Sequence, residues 1–180
     1  MGKAGIVGLI CCCFSLILTV VSTALPYWYQ YTERDTEFFF VVSSGLWMFC
    51  SKRYKEVEAN CREITDVPEY FLAVRALVLM GLFIVAIANI LGFVGIFVTR
   101  QRKNIFLTAG VISISAGICM LTGAFVFVGR TNYLAHGEFV QYLAGFPLTL
   151  VAGVAGIIAG ILFICARPSE EHQSSSPLLH

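Results

Sequence analysis

Four long apolar runs constrain this chain more than any other feature. They cover residues 4–25, 71–98, 105–128 and 147–166, and the second holds one charged residue, Arg75. Each is about 20 residues or longer, enough to cross a hydrocarbon layer roughly 30 Å thick as a helix. In lipid, every backbone N–H and C=O must be satisfied within the segment, so helix is selected despite the many Val, Ile and Phe. A barrel would instead show short segments of alternating polarity. Composition agrees. The chain is 58% hydrophobic and 13% charged, whereas an ordinary soluble domain is about 25% charged.

These runs predict an all-α membrane protein, with one four-helix domain over residues 1–166. Loops at 26–70 and 129–146 stand on one side of the membrane. A link at 99–104 lies on the other, together with both termini and a disordered tail at 167–180. The first run, 22 residues long, exceeds the roughly 7–15-residue core of a signal peptide and is expected to stay as a helix. A myristoylation signal would have Ser or Thr at position 6, where this chain has Ile6.

Sidedness follows from the basic residues. Arg100, Arg102 and Lys103 crowd the 99–104 link, with Lys3 and Arg167 on the same side. Six more are spread over the longer loops, Arg34, Lys52, Arg53, Lys55, Arg62 and Arg130. Weighting density near the membrane puts the link and both termini in the cytoplasm. The protein is therefore expected in the plasma membrane. The net charge of +1 and the lack of a basic stripe argue against a nucleic-acid partner.

The first loop carries eight acidic and five basic residues. It also carries Cys50 and Cys61, the only two of the seven cysteines outside the apolar runs. A disulfide across the ten intervening residues suits a loop on the oxidising face that is too small for its own core. Two free thiols are the alternative, and a zinc site lacks further ligands. Cys11, Cys12, Cys13 and Cys119 lie within apolar runs and read as small packing residues. Cys165, at the end of the last run, reads either as packing or as a palmitoylation site. Residues 28–31, 38–42 and 46–49 are aromatic and β-branched, as in strands, with a turn at Ser43-Ser44-Gly45. Residues 54–59 alternate weakly. Trp28 and Trp47 would stand at the lipid headgroups.

Trp28, then Gly45-Leu46-Trp47 with Cys50 and Cys61, then Arg75 in Val74-Arg75-Ala76-Leu77, resembles the signature of the claudin superfamily. That group comprises claudins, peripheral myelin and epithelial membrane proteins, lens fibre intrinsic membrane protein and calcium-channel gamma subunits. The resemblance spans about residues 4–166. It implies a left-handed four-helix bundle carrying a small extracellular antiparallel sheet, joined by a strand from the second loop. It also implies that the disulfide and the Gly45-Leu46-Trp47 corner hold that sheet over the bundle. Arg75 would reach back toward loop acids or carbonyls at the corner, since an Arg one turn into lipid must snorkel or pair. The C-terminus is His180 rather than the hydrophobic residue that PDZ domains take, so direct PDZ binding is not expected.

Small residues recur at four-residue spacing: Ala152, Gly156 and Gly160 on the fourth helix, Ala109, Ser113 and Gly117 on the third, Ala88 and Gly92 on the second. Such stripes serve either packing inside the bundle or a face for oligomers. Asn89 is expected to bond to a neighbouring helix. The spans hold no acidic residue, and no catalytic constellation, cofactor-binding loop or metal-ligand spacing is legible. The implied function is a non-enzymatic contact or junction protein, with cis and trans association with claudin-like chains and Phe38, Phe39 and Phe40 as candidate contact residues. The alternative is an accessory subunit that binds another channel or receptor laterally.

Overall fold

A computed structural model describes residues 3–34, 39–53, 59–64, 68–98, 103–134 and 140–166. Four helices, α1 (Lys3–Ala24), α2 (Glu69–Phe97), α3 (Lys103–Leu134) and α4 (Gly145–Cys165), form the bundle. All four are long and apolar enough to cross a membrane. Each packs on two neighbours, α1 on α2 and α4, and α3 on α2 and α4. The outward faces are apolar too. Ile10, Ile17, Phe83, Ile90, Phe125 and Ile161 are exposed, an arrangement that lipid tolerates and water does not.

Helix α2 starts after Pro68, whose φ of −57° leads into the first turn, with Glu69 at the positive end of the helix dipole. Helix α3 runs to Leu134, past the apolar run that ends at residue 128. Its last turns bury Thr131, whose Oγ1 donates to the Phe127 carbonyl at 2.7 Å. That bond satisfies the buried hydroxyl within the helix itself.

Between α1 and α2 the chain makes β1 (Tyr29–Arg34), β2 (Phe39–Ser44), β3 (Met48–Arg53) and β4 (Asn60–Glu63). A fifth strand, β5 (Gln141–Tyr142), comes from the loop before α4. The sheet order is β4-β3-β2-β1-β5, antiparallel throughout. The resemblance implied such a strand from the second loop, and β5 supplies it. The pairing with β1 continues through Leu143 N–H to Trp28 O (3.0 Å) and Gly145 N–H to Tyr27 O (2.8 Å), which carries the chain directly into α4.

The first three strands begin one to two residues later than their hydrophobicity suggested and end two to four residues later. Trp28, Leu46 and Trp47 lie outside the ladder and reach the bundle. Polar Thr32, Glu33 and Arg34 stay in it because cross-strand backbone pairing needs no apolar side chain. Ser43 and Ser44 likewise belong to β2, and the turn falls at Gly45–Trp47, closed by Gly45 N–H to Met48 O at 2.9 Å. Cys61 lies on β4. Ala59 is in no strand, and residues 54–58 lie outside the described residues.

Candidate functional site: the junction of sheet and bundle

Trp28 leaves α1 across the short link at residues 25–28 and is fully buried. Its Nε1–H donates to the Ser22 carbonyl at 2.8 Å, and its ring meets Phe127 edge-on, centroids 5.2 Å apart at 78°. Phe127 also contacts Tyr29, Phe71 and Phe146, which makes it the hub of an aromatic cluster drawn from β1, α2, α3 and α4. Val74, Val78 and Leu46 close the same core. Two glycines permit the approach. A Cβ on Gly45 would lie 2.5 Å from Pro26 Cα and 2.6 Å from the Leu25 carbonyl oxygen. A Cβ on Gly145 would overlap Trp28 Cδ1. Gly45 has no left-handed φ, so close approach rather than backbone freedom requires glycine there.

Leu46 is fully buried, and its carbonyl accepts the Arg75 Nε–H at 2.7 Å. The guanidinium carbon stands 4.9 Å from the Trp47 ring centroid and 5.4 Å from that of Phe71. Trp47 is pinned in turn, its Nε1–H donating to Thr23 O at 2.9 Å. The corner carbonyl expected to hold Arg75 is thus that of Leu46. The aromatic sandwich has no single-residue signal in the sequence.

The disulfide joins Cys50 on β3 to Cys61 on β4, which face each other in register with Cα atoms 4.0 Å apart. Cys50 is buried and Cys61 exposed. Ile64 N–H to Trp47 O (3.1 Å) extends the β3–β4 ladder toward the junction. Trp28, Gly45, Leu46, Trp47 and Arg75 therefore meet at one place, while the cysteine pair pins the outer edge of the same sheet. Burial pushes the Tyr29 phenol above its ordinary value of 10.0, and a hydrogen bond with Ser44 pulls it back in part.

The three phenylalanines do not form one described patch. Phe38 lies outside the described residues, and Phe39 opens β2. Phe40 is half-buried opposite Arg53, whose guanidinium carbon is 5.7 Å from its ring centroid.

Ala152, Gly156 and Gly160 are buried between helices. A Cβ on Gly160 would lie 2.6 Å from the Gly110 carbonyl oxygen on α3, and one on Gly156 would lie 3.2 Å from Ser15 Oγ on α1. Ala152 O accepts Ser15 Oγ–H at 2.7 Å. The stripe faces inward, and these residues have no outward surface to offer an oligomer. Asn89 bridges α2 to α1 by donating to Cys12 O at 3.1 Å, while Cys13 Sγ–H donates to Asn89 Oδ1 at 3.1 Å. Cys165 ends α4 with a free, exposed thiol.

One feature of α1 went unread in the sequence. Cys12, Ser15, Thr19 and Ser22 are all buried and follow one helix face. Ser15 bonds to α4, Thr19 Oγ1 reaches Met120 Sδ at 3.3 Å on α3, and Ser22 Oγ bonds to Thr149 Oγ1 and to Gly145 O at 2.7 Å. Ser113 Oγ–H on α3 donates to Gly156 O at 2.7 Å. The spacing of these α1 residues, three or four apart inside an apolar run, was the available signal.

Among the described residues, no group of three or more His, Cys, Asp or Glu side chains converges as a metal site would need. What the fold defines is a four-span membrane protein that carries, at one end, a small disulfide-pinned sheet anchored by buried aromatics. The sequence matches the PMP-22/EMP/MP20/Claudin family over residues 4–164, and the chain belongs to that family of non-enzymatic membrane proteins. It is also similar to Claudin-18 of Homo sapiens, 28% identical over 149 residues, which are 68% of this chain and 57% of that relative. The chain thus spans a little over half the length of the curated relative it matches.

Proposed function

We propose that this chain is a contact protein of the plasma membrane, with its sheet outside the cell and both termini in the cytoplasm. The sheet would meet claudin-like chains in the same or the facing membrane and contribute to adhesion or a paracellular barrier. The observation that carries this reading is how the sheet is mounted. Trp28, Leu46 and the Trp47–Arg75 pair fasten it to the bundle, and the disulfide fixes its edge. A sheet held so firmly presents its side chains at a set height and tilt, as recognition between membranes demands. The outward orientation draws support from the basic 99–104 link and from the oxidised cysteine pair on the opposite end.

The test is to express the tagged chain in cells that lack junctions, mixed with cells that lack the chain. Enrichment only where two expressing cells touch is the expected result. Uniform surface distribution would overturn the adhesive reading.

The lateral, accessory-subunit reading also has an observation in its favour. Helix α3 presents the hydroxyls of Thr108, Ser115 and Thr122 on its outward side at seven-residue spacing, each bonded to its own helix. A lateral partner would be lost on Thr122→Leu, with surface delivery kept. Unchanged co-purification would sink that reading.

A further inference from the structure

We propose that Arg75 and the residues around it form a seat for a phospholipid of the leaflet on the sheet side, with the lipid's phosphate group held by the guanidinium. Arg75 carries five N–H groups in a planar fork, and among the described residues it finds one acceptor, Leu46 O. Its Nη2 is buried with no hydrogen-bond partner, and among the described residues it is the only buried side-chain nitrogen or oxygen in that condition. Glu63 on β4 is near enough to favour the charged guanidinium through space, but no carboxylate among the described residues closes an ion pair on it. Rings of Trp47 and Phe71 flank the cation but accept no ordinary hydrogen bond.

A half-buried cation in this state calls for an anion, and its position says which. Arg75 is the seventh residue of α2, about 9 Å along the helix axis from its start at the rise of one residue. It stands four residues into the apolar run that begins at residue 71, near the end of the span, where headgroups are expected. The rim is apolar and open, with Trp47 39%, Met48 42% and Leu72 52% exposed. Below it, Met80 and Phe83 continue an exposed apolar track down α2, on which an acyl chain would lie. A phosphodiester matches the guanidinium fork in charge and geometry, and only a lipid supplies both that group and the chain for the track. Because the seat is defined by the helix terminus and the corner carbonyl, it does not depend on the contact function proposed above.

Native mass spectrometry of the purified full chain in detergent tests this, with three probes added separately: dioleoylphosphatidylcholine, dioleoylglycerol and inorganic phosphate. The phosphatidylcholine is expected to stay bound while dioleoylglycerol washes away and inorganic phosphate fails to displace it. Equal retention of dioleoylglycerol would overturn the proposal, since the contact would then be apolar alone. Displacement by inorganic phosphate would overturn the lipid assignment in favour of a free anion. No retention at all would mean that the fork is paired within the chain, and would overturn it too.

Two variants sharpen the reading. Arg75→Lys keeps the charge without the planar fork and is expected to bind the lipid about tenfold more weakly. Leu72→Glu is three residues before Arg75 on the same exposed helix face, so it leaves the core untouched and occupies the guanidinium in cis. It is expected to abolish retention, and retention at the wild-type level in that variant would overturn the proposal.

Discussion

Around Trp28 the core is made of rings, and around Gly156 it is made of almost no side chain. At the junction, Trp28, Tyr29, Phe71, Phe127 and Phe146 fill the space between sheet and helices with edge-on contacts. In mid-bundle, glycines and alanines bring helices together, and hydroxyls of Ser15 and Ser113 bond to carbonyls of the neighbouring helix. The physical settings differ. Near the water boundary, burying large rings gains hydrophobic free energy and leaves an N–H such as that of Trp28 in need of a carbonyl. Inside lipid, apolar bulk is worth little because the surroundings are equally apolar. Close approach and hydrogen bonding decide there instead.

Substitutions can break this comparison. The largest effect is expected for Gly45→Val, because the obstacle is the backbone at Leu25–Pro26, which no side-chain rotation relieves. Destabilisation of about 4 kcal/mol or more should leave little folded protein at the cell surface, whereas Gly156→Ala, whose tightest contact is Ser15 Oγ at 3.2 Å, should be delivered nearly as wild type. Next comes Trp28→Ala, expected to cost about 3–5 kcal/mol as a buried ring lost from a packed site. Trp47→Ala should cost only about 1–2 kcal/mol, since it surrenders one hydrogen bond and a cation–π contact from a half-exposed position. Thermal unfolding in detergent would rank the pair, and equal losses would mean that the sheet hangs on its rim rather than its core.

Replacing Cys50 and Cys61 together by Ser should cost on the order of 3 kcal/mol. The effect should stay local. Amide exchange should rise in β3 and β4 and remain unchanged in the four helices. Ser15→Ala and Ser113→Ala should each cost only about 0.6 kcal/mol, the usual worth of a hydrogen bond between membrane helices. A larger loss would show that hydroxyls hold the bundle more than close packing does. The smallest effect concerns Tyr29. Its folded pKa lies above the unfolded 10.0. The stability linked to it is therefore present below that pH and lost as pH rises through the folded value. In a tyrosinate absorbance titration, Tyr29→Phe should remove a late-titrating group.

Much of this was readable in the chain itself. The four spans followed from length and apolarity, because lipid leaves a backbone no option but helix. The signature residues Trp28, Gly45, Leu46, Trp47 and Arg75 were legible as a set through resemblance. Their geometry was not. Nothing in the sequence says that Arg75 meets Leu46 O, or that Phe127, 52 positions away in the chain, stands at the centre of the same cluster. Strand limits were displaced because Trp28, Leu46 and Trp47 serve the bundle instead of the ladder. The stripe at Ala152, Gly156 and Gly160 was legible as a helix-packing pattern, but whether it faced inward or outward depended on how the four helices are arranged.

That this chain crosses a membrane four times, that the loop after the first span carries strands and a cysteine pair, and which family it resembles were all legible along the chain. Each of these rests on local composition, on the cost of unpaired backbone in lipid, or on spacing within a short segment. Which face of each helix is buried, which carbonyl receives Arg75, the joining of β5 to β1, and the seam of α1 hydroxyls to α3 and α4 were settled by the folded arrangement. Those outcomes come from contacts between residues far apart in the chain, whose free energy depends on mutual fit and distance, and a linear pattern holds neither.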